Sequence, residues 1–223
     1  RFIMKNITLK VISFISLFLL FTSLISSKPL CFTSNKNESI ITIDSTSSVG
    51  LPMRLRDIPT LNISGSAQFT KDQLLNLKNS INKDNICIVD LRQESHGMIN
   101  DLAISFLNLY KDLNNGVTTE QTIKAENSLL NKIKIGNTIQ LYKHTGIFIK
   151  DITVDFISNE SQLVTEADMQ YKRFAVKDNS APTPDIVDEF VEFIKNKPDD
   201  IHLHFHCAAG KGRTTSFMVM YQA

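Results

Sequence analysis

The chain has 223 residues, a formal net charge of +1 at pH 7 and 42% hydrophobic residues, which is enough for one globular core of ordinary size. Its 24 basic residues are balanced by 23 acidic ones, so it lacks the charge excess that is typical of nucleic-acid-binding proteins. We therefore expect no nucleic-acid partner.

The N-terminal residues 1–27 resemble a secretory signal peptide. The short basic segment MKNITLK precedes the uncharged apolar run 11–25, and small residues and a proline follow it. A membrane anchor is the alternative interpretation, but the run is short for a bilayer span. We expect cleavage near Ser27, no membrane attachment afterwards, and a secreted, periplasmic or cell-surface protein.

Composition also predicts the domain boundaries. Residues 28–48 are rich in Ser, Thr and Asn and are predicted to be a linker, whereas residues 49–223 have the pattern of one folded domain. The three cysteines leave at least one thiol without a partner within the chain, even in an oxidising compartment. Cys87 lies in an apolar run and is predicted to be a core residue, whereas Cys207 stands among small residues.

The first half of this domain shows both helix and strand patterns. A capping box of Thr70 and Gln73 predicts the start of a helix, and the continuous apolar run ICIVDL at 86–91 is typical of a buried strand. Apolar residues at helical spacing predict another helix over 99–110. A second capping box predicts a third helix that begins after Thr118.

The second half continues the alternation. Residues 137–158 and 171–176 are predicted to be strands, and Thr183 followed by proline predicts the start of a helix. IHLHFH, residues 201–206, alternates as a strand does, and an apolar helix is predicted from Arg213. Because strands and helices interleave, we predict an α/β fold with a central, mostly parallel sheet flanked by helices. The last helix lacks a covering element, so we expect the fold to be truncated at its C-terminus.

The segment HFHCAAGKGRTT, residues 204–215, joins the last predicted strand to the last helix. Its glycines allow the backbone N–H groups of 208–213 to point inward, and the helix start adds a positive dipole end. Arg213 offers a planar fork to phosphoryl oxygens, and the same field stabilises the thiolate of Cys207. Thr214 can donate a hydrogen bond to the sulfur. The segment predicts a nucleophilic cysteine in an anion site; a buried cysteine beside a glycine turn is the alternative.

Cysteine attack on a phosphate ester needs an acid to protonate the leaving oxygen. Asp178 is the only carboxylate in AVKDNSAPTP, residues 175–184, which follow a strand and precede a capped helix. The sequence predicts that Asp178 is this acid, although a lone loop aspartate is also a common turn residue.

A row of histidines, His202, His204 and His206, lies on one face of the last predicted strand and could in principle hold zinc. No further ligand spacing completes a metal site, so we expect no metal and no cofactor. The first two are predicted to be core histidines, and His206 is predicted to hydrogen-bond the loop and orient Cys207.

At these residues the sequence resembles the protein-tyrosine-phosphatase-like inositol phosphatases, the cysteine phytases. HCAAGKGRT matches the cysteine phosphatase signature that protein tyrosine and dual-specificity phosphatases share. ISGSAQF (63–69), DLRQESHG (90–97) and APTP (181–184) resemble the phytase branch more specifically. The resemblance covers 51–223 and implies the protein-tyrosine-phosphatase-like fold, with a smaller strand-rich insertion at 137–158.

The resemblance implies stepwise removal of phosphates from myo-inositol hexakisphosphate, a small polyphosphorylated substrate, without a metal. Cys207 would be the nucleophile, Arg213 the phosphate clamp and Asp178 the general acid. In DLRQESHG, Arg92 and His96 could instead be scaffold residues, because a buried Arg92 is as consistent with a structural pair with Glu94 as with substrate binding. The predicted substrate-binding set combines loop residues with positions carried over from the family: Ala208, Ala209, Gly210, Lys211, Gly212, Thr214, Arg56, His206, Asp112 and His144.

The sequence departs from the family pattern at three positions near the expected site. Asn179 replaces a histidine, Ala181 replaces a tryptophan, and Ala208 replaces an acidic residue. The substitutions at 179 and 181 leave open a phosphate-binding module that has lost turnover. Two further alternatives stay open: a protein tyrosine, dual-specificity or phosphoinositide phosphatase with the same mechanism, and a metal-dependent enzyme that uses the histidine row.

Overall fold

The computed structural model describes residues 38–46, 49–108, 110–111 and 113–223. The predicted signal peptide lies outside these residues. The strands are β1 (Ile40–Ser45), β2 (Arg56–Ile58), β3 (Ile63–Ala67), β4 (Ile86–Arg92), β5 (His96–Ile99), β6 (Leu102–Leu107), β7 (Thr138–Tyr142), β8 (Phe148–Thr153), β9 (Ile157–Ser158), β10 (Gln170–Val176) and β11 (His202–Cys207). The α-helices are α1 (Lys71–Ile81), α2 (Thr119–Leu130), α3 (Glu160–Glu166), α4 (Pro184–Asn196) and α5 (Gly212–Gln222).

The site is carried by a five-stranded sheet with the order β10-β4-β11-β3-β2. Its first four strands run parallel, and β2 adds an antiparallel edge. The two strands that lie side by side at its centre, β4 and β11, are fully buried and end at Arg92 and Cys207. The predicted α/β fold with a mostly parallel sheet is therefore confirmed, and so are its predicted strands at 86–91, 171–176 and 201–206.

Helices cover both faces of this sheet. On one face, α4 and α5 pack an aromatic cluster of Phe174, Phe190, Phe205 and Phe217, with ring centroids 4.9 to 6.1 Å apart. Cys87 is buried in the same core, as predicted. On the other face, α1 packs its leucines against β4, and both predicted capping boxes are formed. Burial of large aromatic side chains on folding is the main source of stability in such a core.

The predicted helix over 99–110 is wrong, because β5 and β6 form an antiparallel hairpin there. Asn100 makes the tight turn with a φ of 54°. The side chains of Met98 and Ala103 enter the core that contains α1, whereas Ile99 and Ile104 enter a second core. A strand that is buried on both faces has no polar alternation, so its apolar residues matched a helical spacing by coincidence.

A second sheet has the order β8-β7-β1-β6-β5-β9 and includes the strands predicted within 137–158. Those strands are confirmed, but they extend a sheet that β1, β5 and β6 also build, so they are not a separate insertion. The predicted linker 28–48 is wrong at Ile40–Ser45, where β1 pairs antiparallel with β6 and parallel with β7. Its β-branched residues favour a strand, although its Ser and Thr content resembles a linker.

The helix predicted after Thr183 is confirmed as α4, with Pro184 in its first turn. Its buried face is rotated from the predicted stripe, because Phe190 and Phe193 enter the core while Val191 is exposed. Within the described ranges, none of the helices combines the length and apolar content that a membrane crossing requires.

Candidate active site

The loop between β11 and α5 begins after Cys207 and leads into the helix at Gly212. Gly210 has a φ of 66°, and any side chain there would collide with the backbone of Ser66 and Ala67. Because L-residues rarely adopt this φ and no space is available, only glycine fits the position. This glycine allows the loop to turn sharply between the strand and the helix.

The carbonyl groups of this loop are held by residues outside it. The backbone N–H of Gln68 donates to the oxygen of Ala208 at 3.2 Å. Arg54 and Arg56 donate to the next two carbonyl oxygens, at 3.1 and 2.9 Å. In a trans peptide the C=O and N–H point in opposite directions, so the N–H groups that follow face the other side. They form a positively polarised cradle of the kind that binds phosphate.

The Cys207 side chain is buried and free, as is that of Cys87, the other cysteine that the structure describes. Thr214 Oγ1 donates to the Cys207 sulfur at 3.2 Å. Burial alone would raise the pKa of the thiol, but the Thr214 hydroxyl, the charge of Arg213 and backbone N–H groups outweigh it and lower the pKa. The surroundings therefore favour the thiolate, which is the nucleophilic form of cysteine.

The guanidinium of Arg213 is held by a bidentate contact with Glu94. Nη1 donates to Oε2 at 2.6 Å and Nη2 donates to Oε1 at 2.8 Å, while the Val176 carbonyl accepts from Nη1 at 2.9 Å. Burial opposes ionisation of Glu94, but the hydrogen bonds and charge of Arg213, together with the charge of Arg92, lower its pKa to about 2. The clamp therefore stays ionised in mildly acidic solution.

Asp178 lies in the loop between β10 and α4, and its side chain is 60% exposed. Its Oδ1 is 3.0 Å from Nη2 of Arg213, and Asn179 donates to its Oδ2 at 3.1 Å. The structure thus brings the predicted acid to the guanidinium that is predicted to clamp the phosphate. This contact forms although Asn179 and Ala181 replace residues that the family pattern has there.

The rim of the loop contains most of the other predicted substrate-binding residues. Lys211, Ala209 and Gly212 are exposed, so their backbone and the lysine charge are accessible to a ligand. Arg56 packs against the loop, because its Nη2 donates to Thr215 Oγ1 at 2.9 Å in addition to the contact of its Nη1 with the loop carbonyl. This arginine therefore supports the cradle whatever else it binds.

His144 is half-exposed and held by a buried carboxylate. Its Nε2 is 2.8 Å from Oδ1 of Asp44 on β1. Asp44 also accepts a hydrogen bond from Arg92 at 2.8 Å. Burial alone would raise the pKa of Asp44, but Arg92 and His144 outweigh it and lower the pKa. Arg92 is therefore a buried structural residue, but its contact partner is Asp44, whereas Glu94 contacts the loop arginine and interacts with Arg92 only through its charge. Asp112 lies outside the described residues.

The prediction that His206 binds substrate is wrong, because its ring is fully buried beneath the loop. Its Nε2 is 2.7 Å from Oε1 of Glu160, off the line of a directed hydrogen bond. Phe69 packs against the other side of the ring, with centroids 4.9 Å apart.

His202 and His204 are core histidines, as predicted. Ser64 Oγ is 2.8 Å from Nε2 of His202 and 2.8 Å from Nδ1 of His204, and Ser66 Oγ is 2.9 Å from Nε2 of His204. Burial lowers the pKa of both rings and favours their neutral form. Serine contacts occupy these ring nitrogens, so the histidine row does not form a metal site.

A different group, Asp90, His96 and Glu160, brings one ligand atom from each residue to within 4.8 Å of the others. Asp90 Oδ2 already accepts from Tyr171 Oη at 2.7 Å and lies 3.0 Å from Nε of Arg173. Since this oxygen is occupied and a fixed cation stands beside it, the group fits a buried ion-pair network better than a metal centre.

Sequence reasoning missed the residues that hold the catalytic loop from outside. Glu94 was noted only as a partner of Arg92, whereas Arg54, Gln68, Glu160 and Asp44 were not singled out. Two of them lie in segments that did carry a signal: Gln68 is part of ISGSAQF, and Glu94 is part of DLRQESHG.

Comparison with known proteins agrees with this geometry. Residues 89–222 match the model of the PTP-like phytase family, whose description names inositol hexakisphosphate. In a search of curated proteins, the effector protein hopD2 of Pseudomonas syringae pv. tomato is 24% identical over 188 residues, which is 80% of this chain and 40% of the effector.

Solved structures are similar over most of the chain. A tandemly repeated protein tyrosine phosphatase-like phytase from Mitsuokella multacida is 31% identical with a TM-score of 0.77, over 86% of this chain and 38% of the other. The PTP-like myo-inositol phosphatase of the same organism, in complex with myo-inositol-(1,3,4,5)-tetrakisphosphate, is 29% identical with a TM-score of 0.77, over 93% and 40%. A PTP-like phytase from Bdellovibrio bacteriovorus is 31% identical with a TM-score of 0.73, over 87% and 72%. The chain thus spans about two fifths of the length of the first two.

Proposed function

The chain belongs to the PTP-like phytase family, and on that premise we propose that it is a phosphatase that removes phosphate from myo-inositol polyphosphates through a cysteinyl-phosphate intermediate. The observation that carries the proposal is the geometry of the loop, in which Thr214 Oγ1 donates to the Cys207 sulfur at 3.2 Å beneath an anion cradle. The lowered pKa of the thiol agrees with this geometry. A sulfur anion and a phosphate cradle on one loop suit nucleophilic attack on phosphorus.

In the first step, the thiolate of Cys207 attacks phosphorus and forms an S–P bond while the P–O bond to the inositol breaks. Asp178 gives its proton to the leaving oxygen. Arg213 and the loop N–H groups bind the three equatorial oxygens, on which the transition-state charge is spread. The contact of Asp178 with Arg213 supports this role, because Arg213 is the proposed partner of the phosphoryl group.

In the second step, water attacks the cysteinyl-phosphate and Asp178 accepts its proton. The S–P bond breaks, inorganic phosphate forms, and the electron pair returns to sulfur. The hydroxyl of Thr214 donates to the departing thiolate and makes it a better leaving group. The enzyme then regains its starting state, because Asp178 holds the proton taken from water and can donate it in the next turnover.

A small polyphosphorylated substrate is supported by the charge around the loop. Arg54 and Arg56 pack against it and Lys211 is exposed at its rim, so several cations surround one anion site. The solved complex of a similar protein with myo-inositol-(1,3,4,5)-tetrakisphosphate points to the same substrate class. We also propose that residues 1–27 direct export, which N-terminal sequencing of the protein recovered outside the cytoplasm would test.

The decisive experiment measures phosphate release from phytate in the presence of EDTA, with a phosphotyrosine peptide and a phosphoinositide as competing substrates. We expect phytate to be the best substrate and vanadate to inhibit. Cys207→Ser should abolish turnover while calorimetry still detects phytate binding, and Cys87→Ser is the matched control that should stay active. Activity in Cys207→Ser would refute the nucleophile, preference for a phosphopeptide would refute the substrate class, and loss of activity in EDTA would favour a metal enzyme.

A further inference from the structure

Glu160 is a fully buried carboxylate at the start of α3, and both of its oxygens contact residues that support the catalytic loop. Oε1 lies 2.7 Å from Nε2 of His206, and Oε2 accepts from Nε2 of Gln68 at 2.7 Å. A buried charge is retained only where partners compensate its lost hydration, so these contacts are energetically significant.

Each of these two partners is directly connected to the nucleophile. His206 precedes Cys207 in β11, so the position of its ring affects the backbone that carries the sulfur. Gln68 donates its backbone N–H to the carbonyl of Ala208, on the other side of Cys207. The carboxylate of Glu160 is therefore linked to both peptide neighbours of the sulfur.

Several ionisable groups surround the pair of Glu160 and His206. His96 on β5 and Asp90 on β4 face the pair directly. Around these two residues lie Tyr171 and Arg173 on β10 and Glu126 on α2. Burial opposes ionisation of Glu160, but the charge and contact of His206, and then those of His96, lower its pKa well below the ordinary value. Glu160 is thus a fixed negative charge beneath the strand that carries Cys207. If loss of that charge displaced the sulfur from Thr214 and the loop N–H groups, the pKa of the thiol would rise.

We propose that Glu160 is a positioning residue for the nucleophile, which acts through His206 and Gln68 to fix Cys207 and the first peptide of the loop. The inference rests on the proposed role of Cys207 as nucleophile. Glu160 does not touch the substrate in this arrangement; it determines where the sulfur lies and how readily the sulfur loses its proton.

The test is the rate of alkylation of Cys207 by iodoacetate as a function of pH, measured by mass spectrometry. This reaction needs no substrate, so it can succeed or fail independently of the phosphatase proposal. In Glu160→Gln the shape of the side chain is kept and the charge is lost. We expect the alkylation profile to move to higher pH, with a rate at pH 5 about tenfold below that of the parent protein, as contacting charged groups commonly show.

Glu126→Gln is the matched control, because Glu126 is also a buried carboxylate but pairs with Arg173 and contacts no residue of the catalytic loop. We expect it to lower thermal stability without moving the alkylation profile. An equal shift in both variants would overturn the proposal, because it would show a general effect of buried charge. A folded Glu160→Gln protein with the parent profile would overturn it too.

Two further variants keep the inference testable if Glu160→Gln does not fold. Glu160→Asp retains the charge and should keep the profile close to that of the parent protein. His206→Gln removes the intermediary, and its profile should shift as that of Glu160→Gln does; a parent-like profile would overturn the route through His206. Where all variants fold, adding Glu160→Gln to His206→Gln should produce no further shift, and an additive shift would contradict the proposed route.

Discussion

Glu94 holds both terminal nitrogens of Arg213, at 2.6 and 2.8 Å, although the two residues are 119 positions apart in the sequence. A bidentate contact fixes the plane of a guanidinium as well as its position, which a single hydrogen bond does not do. A phosphate clamp needs this orientation, because its donors must match the oxygens of the transition state. Glu94 is therefore part of the site although it need not touch the substrate.

Replacement of Glu94 by glutamine should reduce kcat/KM on the order of 100-fold, because a misoriented clamp loses transition-state contacts. Inhibition by vanadate should weaken in parallel, and steady-state kinetics with a vanadate titration would measure both. Glu189→Gln is the control, since Glu189 pairs with Lys172 on the surface. Parent-like kinetics in Glu94→Gln would show that the arginine is held adequately by backbone carbonyls.

The hydroxyl of Thr214 should account for part of the low pKa of Cys207. Thr214→Val keeps the shape of the side chain and removes the donor to sulfur, so the pKa of the thiol should rise. The alkylation rate as a function of pH would show this. Cys87 is an internal control, because burial raises its pKa to about 12 and it should react slowly in every variant. A profile identical to that of the parent protein would exclude the hydrogen bond as a cause.

Gly210 and Gly212 offer a matched pair within one loop. Gly210→Ala combines a positive φ with a collision against the backbone of Ser66 and Ala67, so we expect a loss of about 3 kcal/mol in the free energy of unfolding, together with loss of activity. Gly212→Ala meets nothing nearby and should change stability little. Urea unfolding of both variants tests the difference, and equal stabilities would show that the loop can relax around a methyl group.

Asp178→Asn should slow phosphate release most for substrates with poor leaving groups. An alkoxide leaving from inositol needs a proton, whereas p-nitrophenolate does not, so we expect a loss of about 100-fold or more with phytate and a much smaller loss with p-nitrophenyl phosphate. Asp185→Asn, at the exposed start of α4, is the control. Equal losses for both substrates would assign Asp178 a binding role through Arg213 and place the acid elsewhere.

The catalytic loop could be predicted from the sequence because its chemistry is local. Cys207, Arg213 and Thr214 lie within eight consecutive positions, and a strand followed by a glycine turn and a helix leaves little freedom in how they meet. Asp178 is remote in the chain but lies in a short polar loop with one carboxylate, so the need for an acid, together with the family resemblance, makes it the candidate. The structure confirms the contact of Thr214 with the sulfur and brings Asp178 to Arg213.

The residues that hold the loop could not be predicted in the same way, because each is paired across a long sequence separation. Glu160 lies 46 positions before His206 in the sequence. Asp44 lies 48 positions before its partner Arg92, in a segment whose composition resembles a linker. A single sequence shows that a carboxylate exists, but not which cation it meets. The hairpin of β5 and β6 was missed for a related reason: burial on both faces removes the alternation that identifies a strand.

The ion-pair network around His96 predicts how stability depends on pH. Burial and Arg92 lower the pKa of His96, but Asp90 and Glu126 outweigh them and raise it above 6.5. A raised pKa in the folded state gives stability that is fully present below about pH 6.5 and is lost as the pH rises through the folded value. We therefore expect the free energy of unfolding, measured by urea titration, to fall from neutral towards alkaline pH.

His96→Gln should be less stable than the parent protein at pH 5.5 and should lack this part of the alkaline decline. His202→Gln is a control with the opposite sign, because burial lowers the pKa of His202 and its neutral form is the stable one in the folded protein. Its removal should take away stability that the parent protein gains as the pH rises through 6.5. If His96→Gln showed the same pH dependence as the parent protein, the charge on His96 would not contribute to folding.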